Sequence, residues 1–159
     1  MSVRKLLARM AGMGVALTLT GFLIAPSAMA GSTSVAGHVI GGGAGQLSQF
    51  GFSAVVEANG AATGHFNCLM AGRTVGNGVG TNLMSIAGPI TSGSLGSGQA
   101  AFSGEATVGL GSGGIMATGA PYTVTVFPGG PGVGHFTLSV PSLGITLSDV
   151  LVAGNIEIS

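Results

Sequence analysis

The sequence predicts an all-β fold: a single-domain antiparallel sandwich or small barrel of about eight short strands over residues 31–159, behind a removable leader. Three observations predict it. Apolar and polar residues alternate with period two over short runs, glycine-rich breaks separate the runs, and no amphipathic helical stretch follows residue 30.

The leader comes first in the chain. Arg4, Lys5 and Arg9 form a positive start, Met10 to Ala25 is apolar apart from two threonines, and Ala28-Met29-Ala30 puts small residues where a signal peptidase needs them. About 16 residues at 1.5 Å rise reach only about 24 Å, too short for a hydrocarbon core of about 30 Å. Residues 1–30 therefore read as a signal peptide cleaved after Ala30, and the chain as secreted or held in the cell envelope without an integral membrane anchor.

Each strand is then justified in order. Val35 to Ile40 is a short first strand, ended by Gly41-Gly42-Gly43-Ala44-Gly45. In the second, Phe50, Phe52, Ala54 and Val56 alternate with Gly51, Ser53, Val55 and Glu57. Asn59-Gly60 predicts a two-residue type I′ turn, because both central residues need positive φ. The return strand sets Phe66, Cys68 and Met70 on one face and His65, Asn67 and Leu69 on the other. Thr81 to Ala87 follows, closed by Gly88-Pro89, and Thr91 to Gly98 reads as a flexible Ser/Gly connection. Ala100 to Val108 alternates again, and Gly109 to Gly114 reads as loose. Tyr122 to Phe127 is β-branched and aromatic, and Pro128-Gly129-Gly130-Pro131-Gly132 must turn. His135 to Val140 alternates once more. Ile145 to Leu147 and Gly154 to Ile158 are two further short strands.

Composition excludes several functions. The whole chain is formally neutral with four Lys or Arg and four Asp or Glu. Three of the cations belong to the leader, so the exported part carries Arg73 against Glu57, Glu105, Asp149 and Glu157, a net −3. One cation cannot build a nucleic-acid surface. The glycine runs are not phosphate cradles, since neither a lysine nor a helix accompanies them. A Ser–His–Asp site would need the sole aspartate, Asp149, and no G-x-S-x-G elbow occurs. Glu57 and Glu157 read as solvated surface rather than a glycosidase pair. No catalytic residue and no cofactor is expected, and the chain reads as a non-enzyme.

The segments Phe50-Gly51-Phe52, Gly64-His65-Phe66, Ala100-Ala101-Phe102-Ser103-Gly104, Pro121-Tyr122-Thr123-Val124-Thr125-Val126 and Gly154-Asn155-Ile156-Glu157-Ile158 occur in that order along nearly all of the mature chain. In order and content they resemble a bacterial secreted module, the post-COAP-1 domain. The resemblance implies a compact exported all-β module of no established activity, and it brings no catalytic residues with it. The chain departs from that pattern at His135, where an acidic residue is common.

Among candidate ligands, His38, His65 and His135 lie on three predicted strands, the last two within a shared Gly-His-Phe tripeptide. If those two strands were neighbours, their imidazoles would meet across the sheet and could hold a metal ion. No short local spacing such as H-x₃₋₅-H supports this, and His65 and Cys68, three apart, point to opposite faces. The lone Cys68 excludes an intrachain disulfide and reads as a small buried hydrophobe, with a reactive thiol as the alternative. The leading expectation is a non-catalytic module that binds or spaces something at the cell surface or outside the cell, its ligand unknown. Lysine-free strands make a self-associating structural subunit the alternative, and a small histidine-based metal-binding protein is the third reading.

Overall fold

The computed structural model describes residues 34–71, 83–111 and 114–159. The strands are β1 (Val35–Gly45), β2 (Ser48–Glu57), β3 (Ala61–Ala71), β4 (Leu83–Gly96), β5 (Gln99–Leu110), β6 (Gly114–Phe127), β7 (His135–Val140) and β8 (Ile145–Ile158). Each pairs antiparallel with the next, and β8 pairs with β1, so the sheet closes as an eight-stranded up-and-down barrel. The expected leader lies outside the described residues.

Alternation decides which side of the wall each residue takes. Along β2, Ser48, Phe50, Phe52, Ala54 and Val56 are buried in the lumen. Phe66, Cys68 and Met70 on β3, and Phe136, Leu138 and Val140 on β7, point inward in the same way. An eight-stranded barrel has an interior just wide enough for side chains to fill. Here a chain of rings fills it. Phe136 packs on Phe50 (centroids 4.6 Å apart), Phe50 on Phe52 (6.0 Å), Phe52 on Phe102 (5.1 Å), Phe102 on Phe66 (5.9 Å) and Phe66 on Tyr122 (5.4 Å). The Tyr122 hydroxyl donates to the Pro89 carbonyl at 3.0 Å, which satisfies the one polar atom of the series.

Several glycine-rich segments expected to break the strands instead continue them. β1 runs through Gly41–Gly45 by pairing with β2 and β8, and the ring of Phe52 occupies the space where a Gly41 side chain would project, 2.5 Å from an ideal Cβ. Thr91–Gly96, expected as flexible, is the second half of β4 and pairs with β5 from Ser92↔Ser103 to Gly96↔Gln99. β4 also continues through Gly88-Pro89. The β4–β5 register shifts between Ala87 and Ser92, and that irregularity accommodates a proline that cannot donate to a ladder. Gly109 and Leu110 belong to β5 and Gly114 opens β6, while residues 112–113 lie outside the described residues. The two short strands expected near the C-terminus are one, β8.

The β2–β3 hairpin forms as expected, but its turn differs. The loop is the three-residue Ala58-Asn59-Gly60, with Gly60 N–H donating to the Glu57 carbonyl (2.9 Å) and Gly60 at φ 87°. This is a three-residue hairpin loop closed by a left-handed glycine. Asn59 stabilises it through its side-chain oxygen, which accepts from Ala61 N–H at 2.8 Å.

Phe102 sits in the middle of the ring chain, whereas Phe127 lies on the outer wall stacked on His135 at 4.2 Å. Phe102→Ala is expected to lower unfolding free energy by about 3–5 kcal/mol. Phe127→Ala should cost no more than about 1.5 kcal/mol. Urea denaturation of the two variants checks the contrast.

Candidate functional site

The histidines do not converge. His65 on β3 and His135 on β7 are on strands that are not neighbours in the ring. His38 sits opposite Val55 and His65 opposite Ser53, so these two are separated by the whole of β2 and offset by two residues along it. His135 stacks on Phe127 and its Nδ1 lies 3.0 Å from the Val133 carbonyl. Among the described residues, no three His, Cys, Asp or Glu side chains are grouped to hold a metal ion. Glu57 ends β2, Glu105 stands outward on β5, and Glu157 accepts from the Asn155 amide at 2.8 Å.

Asp149 behaves differently from the solvated carboxylates, and its alternation pattern on β8 is the only trace of this in the sequence. It is 4% exposed and projects into the lumen beneath the β1–β2 turn. Its carboxylate accepts from Gln46 N–H (2.8 Å), Leu47 N–H (3.0 Å) and Ser48 Oγ (2.6 Å). Successive backbone N–H groups converging on one anion form a nest, and charge-assisted bonds of this kind are about twice as strong as neutral ones. Gly45 is required there, because a Cβ would collide with the carboxylate. A residue distant in sequence thus ties down the β1–β2 turn.

Cys68 completes this inner cluster. It is buried, and burial, aided by the nearby Asp149 charge, pushes its pKa up to about 12 against the opposing effect of the Ser48 hydroxyl. Such a thiol stays protonated at neutral pH and is neither a nucleophile nor a metal ligand in waiting. Ser48 Oγ donates to the Asp149 carboxylate, whose oxygens are also engaged by two backbone N–H groups. The cluster ties β8 to the β1–β2 turn.

The outer side of the same strand segments carries a groove. Gly43, Phe50, Cys68 and Ile86 are cross-strand neighbours on β1 to β4. The last three send their side chains into the core, so they offer main chain outward. Gln49, Leu69 and Ser85 stand along one side of this floor and Asn67 and Ala87 along the other, enclosing an open concavity of about 600 Å³. No signal in the sequence singled out these residues, because each is an ordinary outward position of its strand.

Two outcomes test the inner cluster. Asp149→Ala removes the acceptor of three donors and is expected to cost about 3 kcal/mol of stability, with Asp149→Asn costing less because one oxygen remains; thermal unfolding of both variants measures this. Burial also raises the Tyr122 hydroxyl to about 12. Cys68 and Tyr122 ionise near 9.0 and 10.0 when unfolded, so the unfolded chain loses these protons first as pH rises. Their contribution to stability is complete below about 9, falls with rising pH and is lost beyond about 12. Urea midpoints between pH 7 and 11 should fall at the alkaline end, and should fall less in a Cys68→Ala, Tyr122→Phe variant.

Compared with known proteins, the chain matches no family model, no curated protein and no solved structure.

Proposed function

We propose that this chain is an exported, non-catalytic β-barrel module that works at the cell surface or outside the cell in a binding or structural role. The observation that carries the reading is the disposition of its reactive groups. The thiol and the one enclosed carboxylate are used to hold the β1–β2 turn and the lumen, and the histidines stand on separate strands. The leader-like residues 1–30 and the resemblance to the post-COAP-1 domain support export and a module of this kind.

The character of the wall supports an aqueous exterior rather than a lipid one. The outward face is mixed, with Thr123, Thr125, Thr137, Ser139, Thr146 and Ser148 interspersed with exposed Ile40, Leu69, Val150 and Val152 rather than a continuous apolar band, while the rings fill the lumen. A lipid-facing barrel has the opposite arrangement, with an apolar outer band and a polar interior. Strand length does not separate the two cases. Every strand but β7 has ten or more residues, longer than the sequence leads one to expect.

Self-association is the weaker alternative. Uncharged edge strands would favour it, and ring closure removes most of the edges. Among the described residues, Gly114–Ala120 of β6 pairs only with β5, and that stretch carries exposed Ile115 and Met116. Two register shifts and Pro121 interrupt it, which are devices that discourage edge-to-edge pairing.

Light scattering on the purified protein at rising concentration tests the choice, with the mass of a single chain expected throughout. A stable oligomer would transfer the assignment to the structural-subunit reading. N-terminal sequencing of protein recovered outside the cell is expected to begin at Gly31.

A further inference from the structure

We infer that the outer-wall groove on β1 to β4 is a binding site for a neutral, hydroxyl-rich ligand, a short stretch of uncharged glycan. The inference rests on the binding form of the function proposed above. The concavity of about 600 Å³ falls within the range of small-molecule sites. Its shape follows from the sequence of outward positions. Ala44 and Ala87 contribute no more than a methyl group, and Gly42 and Gly51 contribute nothing, while Gln49, Asn67 and Leu69 rise beside them. Asn67 Oδ1 lies over the bare main chain of Gly51, 3.1 Å from where its Cβ would be.

The lining selects the chemistry of the ligand. Gln49 and Asn67 each offer an amide donor and an amide acceptor, and Ser85 a hydroxyl that does both, which is the complement of a polyol. His65, two residues from Asn67 on the same outward face, adds an imidazole near the rim. Leu69, 39% exposed, supplies an apolar ledge for the C–H face of a sugar ring.

Other ligand classes fit poorly. Among the described residues, an ionic ligand finds no counter-charge in the lining. Glu57 is eight residues along β2 from Gln49, about 26 Å away at strand rise, and Asp149 is enclosed by its three donors. An extended peptide would need free main-chain groups for strand addition, but β2 and β3 are paired on both sides and their main chain is already engaged. A lipid chain would meet amides. What remains is a neutral molecule that brings its own hydroxyls. The floor belongs to a closed sheet, so the site needs no ordering on binding.

The test is NMR titration of the purified protein with maltotriose, cellotriose and tri-N-acetylchitotriose, with trigalacturonate as the charged comparison. At least one neutral trisaccharide is expected to shift the amides of Gln49, Asn67, Leu69 and Ser85, and trigalacturonate is not. A Gln49→Ala, Asn67→Ala variant changes only exposed side chains, so its thermal unfolding should match the parent while its affinity falls about tenfold or more. Shifts confined to other residues would overturn the groove as the site and leave a binding module intact. No shift with any neutral sugar at about 10 mM overturns the inference itself. Failure of the underlying reading is seen separately, as an oligomer in light scattering.

Discussion

Closure of the sheet onto a narrow lumen is the constraint on which the rest of the structure depends. A ring of eight strands encloses space for side chains and little else, so whatever points inward must fill it. Only six phenylalanines and one tyrosine are available after residue 30, and six of these seven rings join in a single packed series from Phe136 to Tyr122. Small residues such as Ala54, Ala100 and Ala106 share the lumen, and large-against-small packing lets facing layers interdigitate. The high glycine content belongs to the same arrangement. At Gly41 the missing side chain makes room for Phe52, and at Gly45 it makes room for a carboxylate.

The lumen is apolar except near the β1–β2 turn, where Ser48 and Asp149 are the buried polar residues of the core. A buried anion is costly unless its lone pairs are met, and here two backbone N–H groups and a hydroxyl meet them. That turn is therefore held by tertiary contacts rather than by its own residues. The β2–β3 turn shows the opposite case, because Asn59 and Gly60 stabilise it locally. The outer groove lies on the other side of the wall from the Asp149 cluster, so the segment that presents Gln49 is anchored from within by its neighbour Ser48.

The legible part of this fold is the part with period two. Phe50 to Val56, Phe66 to Met70 and Phe136 to Val140 each take the faces their alternation assigns, because a strand with one face to the lumen and one to the outside has a two-residue repeat. The glycine runs were misleading for a physical reason. Glycine carries no side chain to alternate, so Gly41–Gly45 and Gly93–Gly96 look like breaks although their main chains pair with the neighbouring strands. The histidine question was legible only as a condition. The ring order, which separates β3 from β7, answers it.

Local chemistry along the chain sets the strand class, the inward rings and the presence of a hairpin at Asn59-Gly60. Those properties depend on neighbours within a few residues. The closure of β8 onto β1, the enclosure of Asp149 under a turn more than a hundred residues away, and the groove between Gln49 and Asn67 depend on register between strands. Register is a property of pairs of segments. It is decided when the lumen must be filled and every inward polar atom must find a partner, and no single segment carries that information.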